Sequence, residues 1–159
     1  AGHIIETGSA SRTQLLDLKT GSWSPELLSI FGISESQLPR VCASDEKHNC
    51  TKMAELGLSN DVPLSGIMGD SHAALFAHQG WRAGSFKATF GTGTSLMGLT
   101  EANPQTIAWQ LGGNITRATE ANILSTGSTL VWLSELLGKS PTTIGVAPVQ
   151  VTNSAKEVG

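Results

Sequence analysis

The sequence predicts a mixed α/β chain, and three observations carry that expectation. A capped helical segment, "SPELLSIFG", stands in the first third; short apolar stretches separated by Gly and Thr turns fill residues 85–124; and "STLVWLSELLG", of helical period, follows them. With 159 residues, 39% of them hydrophobic and 14% charged, there is enough apolar material to bury roughly 68–70% of the unfolded surface in one domain of this size.

The elements follow in chain order. "TQLLDLKTGSW", 13–23, has apolar residues spaced partly two apart and breaks at Thr20-Gly21, the pattern of a strand ending in a turn. In "SWSPELLSIFGI", Ser24 is an N-cap, Pro25 suits the first helical position, Glu26 favours the positive helix start, and Gly32 closes the helix. Residues 38–66 are polar with prolines at both ends, and read as a surface excursion leading into a short buried strand at "PLSGIMG". "HAALFAHQG", after Asp70, predicts a helix of about two and a half turns closed by Gly80. "SFKATFGTGTSLMGLT" reads as two strands joined by a Gly-Thr-Gly-Thr turn, and "TIAWQLGG" and "RATEANILS" add further strands to a sheet of three or four. Leu130, Leu133, Leu136 and Leu137 then share one helical face, with Gly138 at the stop. The segment "GWRAG", 80–84, reads as a junction between two units.

Charge and cysteine content narrow the partners. Ten Lys and Arg against thirteen Asp and Glu give a net charge of -3 with no basic stripe, which argues against nucleic acid or an anionic membrane surface and leaves small molecules as the default partners. Cys42 and Cys50 lack metal-finger spacing and read as reduced thiols. No window of about eighteen apolar residues and no secretory block occurs, so no membrane span and a cytoplasmic setting are expected. The tryptophans at 23, 81, 109 and 132 read as core or interface fillers, and His72 as a satisfied surface imidazole, with a place beside Asp70 as its alternative.

Three motifs carry chemistry. "FGTGTSLMG", 90–98, places small residues in a turn where backbone N–H groups can converge on an anion and threonine hydroxyls add donors; a plain hairpin is the alternative. Asp70, behind Gly69 and ahead of a helix, is either a cap or a general base for a substrate hydroxyl attacking phosphorus. Gly127 at a helix start would let a nucleotide approach the backbone, or would serve close helix packing. GxGxxG fails because Leu96 stands where the third glycine belongs, and "LSELLGKS" lacks the first glycine of a P-loop. A serine hydrolase using Ser95, His72 and Asp70 is a rival, though no GxSxG elbow occurs; a non-catalytic interaction module is another.

Together these stretches resemble the FGGY carbohydrate kinases of the actin-like ATPase superfamily. "ASRTQLLDLKTGSWSPELLSIFGI" resembles that family's "NASRT…D..TG.WD..LL..FGI", "LPRVCASDE" its "LP.V..S.E", "GIMGDSHAALF" its "G..GDQQAALFG", "KATFGTGTSLM" its "KNTYGTGCFML", and "TIAWQLGG…ATEANILSTGSTLVWLSELLG" its "AW…..ALEG.I..AG..I.WL.D.L". The resemblance covers about residues 5–138, and Glu6 stands where the family usually has an aspartate. It implies a ribonuclease-H-like fold of the actin and hexokinase type in partial form, with 1–80 ending the N-terminal substrate domain and 81–159 beginning the C-terminal nucleotide domain. It implies ATP-dependent phosphorylation of a sugar or polyol, with Asp70 as base, Ser71 beside it holding substrate, Gly91, Thr92, Gly93 and Thr94 at the nucleotide phosphates, and Gly127 touching the nucleotide. Domain closure would bring Asp70 and the substrate hydroxyl in line with the γ-phosphate and magnesium. The metal-organising acid lies in the family's first phosphate loop, so no metal ligand is assigned to this chain. The resemblance further implies a central piece of a longer enzyme, inactive alone, and is compatible with a homo-oligomer.

Overall fold

The structure is a computed structural model that describes residues 3–49, 53–59, 62–78, 80–82 and 84–140. Its described residues fall into two compact units, one running to Thr89 and resuming over Ser95–Ala121, the other formed by Phe90–Thr94 and 122–140.

In the first unit, strand β1 (Ile4–Glu6) leads directly into the five-residue helix α1 (Thr7–Ser11), and β1 pairs in parallel with β4 (Arg40–Cys42), Ile5 opposite Val41. Neither the first strand nor the first helix was predicted. Glu6 makes this join possible: its carboxylate accepts from the N–H groups of Gly8 at 2.8 Å and Ser9 at 2.9 Å, capping the helix, and from Ser44 Oγ at 2.6 Å. Small residues in "TGSAS" let α1 lie against the sheet, where a Cβ on Gly8 would sit 2.9 Å from the Ile107 carbonyl oxygen.

The segment 13–23 is a tight antiparallel hairpin rather than one strand, β2 (Leu16–Asp17) pairing with β3 (Ser22–Trp23) around Gly21 at φ +69. Helix α2 (Pro25–Phe31) forms as its caps predict: Ser24 Oγ accepts from Leu27 N–H and Gly32 closes it in the left-handed region at φ 65. Two corrections concern the excursion at 38–66. It contains β4, whose Val41 and Cys42 find their partner 36 positions away, and "PLSGIMG" forms no strand beyond a single bridge from Leu64 to His48, with Leu64 exposed.

Helix α3 (Asp70–Ala77) closes at His78, two residues before the expected stop at Gly80. Strands β5 (Phe86–Phe90), β6 (Thr94–Leu99), β7 (Thr106–Leu111) and β8 (Asn114–Ile123) form one sheet in the order β5-β6-β8-β7, and most of it belongs to the first unit. Strand β7 is buried on both faces from Thr106 to Trp109. Its register against β8 shifts between Ile107 and Trp109, so Ile107 joins Ala10, Leu16, Trp23 and Leu28, whereas the successive Ala108 and Trp109 both join Leu75, Met97 and Ala118. Phe76 stands edge-on to Trp109 at 5.2 Å. The outer edge of β7 is satisfied by side chains: Ser11 Oγ accepts from Ile107 N–H at 3.0 Å and Ser44 Oγ from Gln110 N–H at 3.0 Å.

The second unit holds the bend at 91–93 and helix α4 (Gly127–Leu137), closed by Gly138 at φ 59. Its leucine face is not a buried stripe: Leu136 is 65% and Leu137 53% exposed, and Ser134 is the buried residue. Of the tryptophans, 23 and 109 are core, whereas 81 and 132 are exposed. Cys42 is a buried free thiol; Cys50 and the tail beyond 140 lie outside the described residues.

Candidate active site

The predicted chemistry is distributed over the two units. In the first, Asp70 opens α3 behind Gly69, an N-cap in extended conformation with no side chain to offer, so the acid supplies the negative charge that a helix start favours. Its Oδ1 accepts from the Ser71 N–H at 2.6 Å. Asp70 is exposed, which leaves Oδ2 available to a ligand. The carboxylate lies at a cleft of about 300 Å³ whose polar lining comes from Ser9, Arg12, Asp70, Ser71, His72 and Glu120.

Glu120 on β8 organises the far wall of that cleft, accepting from Arg12 Nη1 at 2.5 Å and from Ser95 Oγ at 2.8 Å. Burial alone would raise its carboxyl, but the Ser95 hydroxyl and Arg12 together hold it below the ordinary carboxylate range. The Ser95 proton is thus directed to a carboxylate and not to an imidazole, which removes the hydrolase arrangement of Ser95, His72 and Asp70.

His72 is buried, a correction to its reading as a surface imidazole; the helix turns it inward, where Nε2 lies 3.4 Å from Thr106 Oγ1. Burial pushes its pKa down, Glu6 and Glu120 oppose that, and Arg12 and Lys87 add to it. The imidazole is neutral in the folded protein at neutral pH. Because the unfolded chain binds this proton near the ordinary value of 6.5 and the folded one only at lower pH, stability falls as pH drops below that value. The urea midpoint is expected to decrease from about pH 7.5 to about pH 5.5, and His72→Gln to flatten that decrease.

Ser71 lines the cleft beside Asp70, and its Oγ accepts from Lys87 Nζ at 3.2 Å. Arg12, Glu120 and Lys87 were not singled out from sequence. Lys87 carried one signal, a charged residue set between apolar ones in "SFKATF".

In the second unit the Gly-Thr bend and the start of α4 form one joint. The N–H of Gly127 donates to the Gly91 carbonyl at 3.1 Å, and those of Thr126 and Ser128 to the Thr92 carbonyl at 3.0 and 3.2 Å. These carbonyls replace the side-chain cap that α4 lacks. Thr94 is buried with Oγ1 donating to Thr126 Oγ1 at 2.9 Å, whereas Gly91 and Thr92 are exposed. In a trans peptide the N–H points opposite to the preceding carbonyl. With the carbonyls of Gly91 and Thr92 turned to the helix, the N–H groups of Thr92 and Gly93 point away from it. The structure therefore brings Gly91, Thr92, Gly93, Thr94 and Gly127 together in one unit and places Asp70 and Ser71 together in the other.

Comparison with known proteins bears on both units. Residues 2–77 match the model of the FGGY family of carbohydrate kinases, N-terminal domain. The chain is 41% identical over 140 residues to the glycerol kinase of Thermococcus gammatolerans, an alignment covering 84% of this chain and 28% of that protein. It is 37% identical over 162 residues to the glycerol kinase of Chromobacterium violaceum, covering 96% of this chain and 32% of the relative. The chain thus spans less than a third of the length of these relatives. Among solved structures, Plasmodium falciparum glycerol kinase with ADP superposes with TM-score 0.74 at 26% identity over 84% of this chain and 29% of that one. Xylulose kinase from Lactobacillus acidophilus does so with TM-score 0.72 at 19% identity, over 87% and 30%, a likeness of fold alone. The fold is accordingly part of the actin and hexokinase type of ATPase architecture, and the chain belongs to the FGGY family of carbohydrate kinases.

Proposed function

We propose that the gene product transfers the γ-phosphoryl group of ATP to a hydroxyl of a sugar or polyol. Asp70 takes the proton from that hydroxyl as its oxygen attacks phosphorus, and Ser71 holds the acceptor. The observation that carries this reading is the Asp70 carboxylate itself, one oxygen tied to the Ser71 N–H and the other open at a polar cleft. Positioning by such groups supplies much of the rate in phosphoryl transfer, since the protein has little covalent chemistry to perform.

The bend at Gly91–Thr94 receives the nucleotide phosphates on the N–H groups of Thr92 and Gly93. Thr94 braces the bend from behind through Thr126, and Gly127 keeps the contact with Gly91 short enough to hold it. The division between substrate and nucleotide domains in the chain falls near residue 80, a reading supported by the family match ending at 77, while the first compact unit also takes in Ser95–Ala121. The setting is cytoplasmic; among the described residues no helix is long and apolar enough to cross a membrane. Magnesium accompanies ATP in the family reading, but among the described residues no group of three His, Cys, Asp or Glu side chains is placed to hold a metal ion, so no step is assigned to it here. Incubating the full gene product with ATP and a panel of polyols, ketoses and sugar acids is expected to give ADP and a phosphorylated acceptor for at least one of them. A folded, ATP-binding product that phosphorylates none would overturn the reading.

A further inference from the structure

Strand β5 inverts the usual order of burial. Phe86 and Phe90 are 71% and 73% exposed, and Ala88 and Thr89 are exposed too, whereas the charged Lys87 is 5% exposed. An ammonium is costly to bury without a carboxylate partner, and among the described residues the hydrogen bond that Lys87 makes is to a neutral hydroxyl, Ser71 Oγ, at 3.2 Å. Lys87 stands behind Ser71, and Ser71 lines the cleft beside Asp70.

The chemistry of the two groups fixes the direction of this bond. An ammonium has three donors and no acceptor, so the Ser71 oxygen must accept. Its own proton is then free to donate elsewhere, and the charge on Lys87 makes that proton a stronger donor. The neighbouring Asp70 carboxylate can only accept.

We propose that Lys87 is a positioning residue that locks Ser71 as a donor, so that Asp70 and Ser71 read two neighbouring oxygens of the acceptor, a hydroxyl that donates to Asp70 and an adjacent oxygen that accepts from Ser71. This rests on the kinase reading of the same cleft.

The test measures KM for acceptor and for ATP in the full gene product with Lys87→Met, Lys87→Arg, Ser71→Ala and the Lys87→Met/Ser71→Ala pair. Lys87→Met and Ser71→Ala are each expected to raise the acceptor KM about tenfold, the worth of one hydrogen bond, with the ATP KM unchanged. The pair is expected to lose no more than Ser71→Ala alone, and Lys87→Arg to keep most of the affinity. Additive losses, equal shifts in both KM values, or a Lys87→Met variant identical to the parent overturn the proposal. Should Lys87→Met not fold, acceptors lacking the second oxygen decide it: they must bind the parent about tenfold more weakly and Ser71→Ala no more weakly than the intact acceptor, and any other pattern overturns it. If Asp70→Asn keeps the parental rate, the kinase reading of the cleft fails; if that variant is inactive while these results are additive, only the role of Lys87 fails.

Discussion

Asp70→Asn in the full gene product is expected to lower kcat for phosphoryl transfer by about 10²- to 10⁴-fold, the range that a positioned general base supplies. Asparagine has the same shape, and its carbonyl oxygen can still accept from the Ser71 N–H, so the start of α3 is kept and the loss belongs to proton transfer. The KM for ATP should stay within about twofold, because the acid lies in the first unit and the phosphate bend in the second. Steady-state kinetics with circular dichroism as the control for folding checks both statements. A kcat within about threefold of the parent would return Asp70 to the role of a helix cap.

The second large effect is expected at Gly127. A Cβ there would overlap the Gly91 carbonyl oxygen and lie 3.3 Å from the Gly91 carbonyl carbon, both of them backbone atoms. Two effects compete in Gly127→Ala. Alanine gains about 1 kcal/mol over glycine in a helix interior, but forcing an extra carbon into a packed contact costs about 1–3 kcal/mol and moves backbone. The first gain shrinks at a helix start, so the overlap wins and the bend is displaced. The KM for ATP should rise about tenfold or more with the acceptor KM unchanged, which is the opposite split from the Ser71 variants. An ATP KM equal to the parent's would show that the bend is not the phosphate site or that the joint yields freely.

Local signals were legible where the sequence carries its own caps and turns. Ser24, Pro25 and Gly32 fixed α2, Gly138 fixed the end of α4, and the Gly-Thr bend marked the β5–β6 connection. What stayed hidden depends on distant partners. Strand β4 lies in a polar stretch and exists through β1, and α1 exists because Glu6 folds back on it while Ser44 and β7 enclose it. The same holds for the site. Asp70, Ser71 and the bend could be named from motifs, whereas Arg12 and Glu120 reach one wall from separate segments, Ser95 was read only as a nucleophile and instead donates to Glu120, and the inward turn of His72 follows from Thr106. The leucine period of α4 reported a helix correctly but not which side it buries.

The closure of β7 has a consequence for this edge of the sheet. An outermost strand with open N–H groups is a template on which another molecule can lay its own strand, the first step toward fibrous assembly. Here the hydroxyls of Ser11 and Ser44 occupy the donors of Ile107 and Gln110, so the template is spent within one molecule. The two serines guard this edge beside the irregularity at Ile107/Trp109, and the Ser44 N–H adds a bond to the Gln110 carbonyl at 2.9 Å.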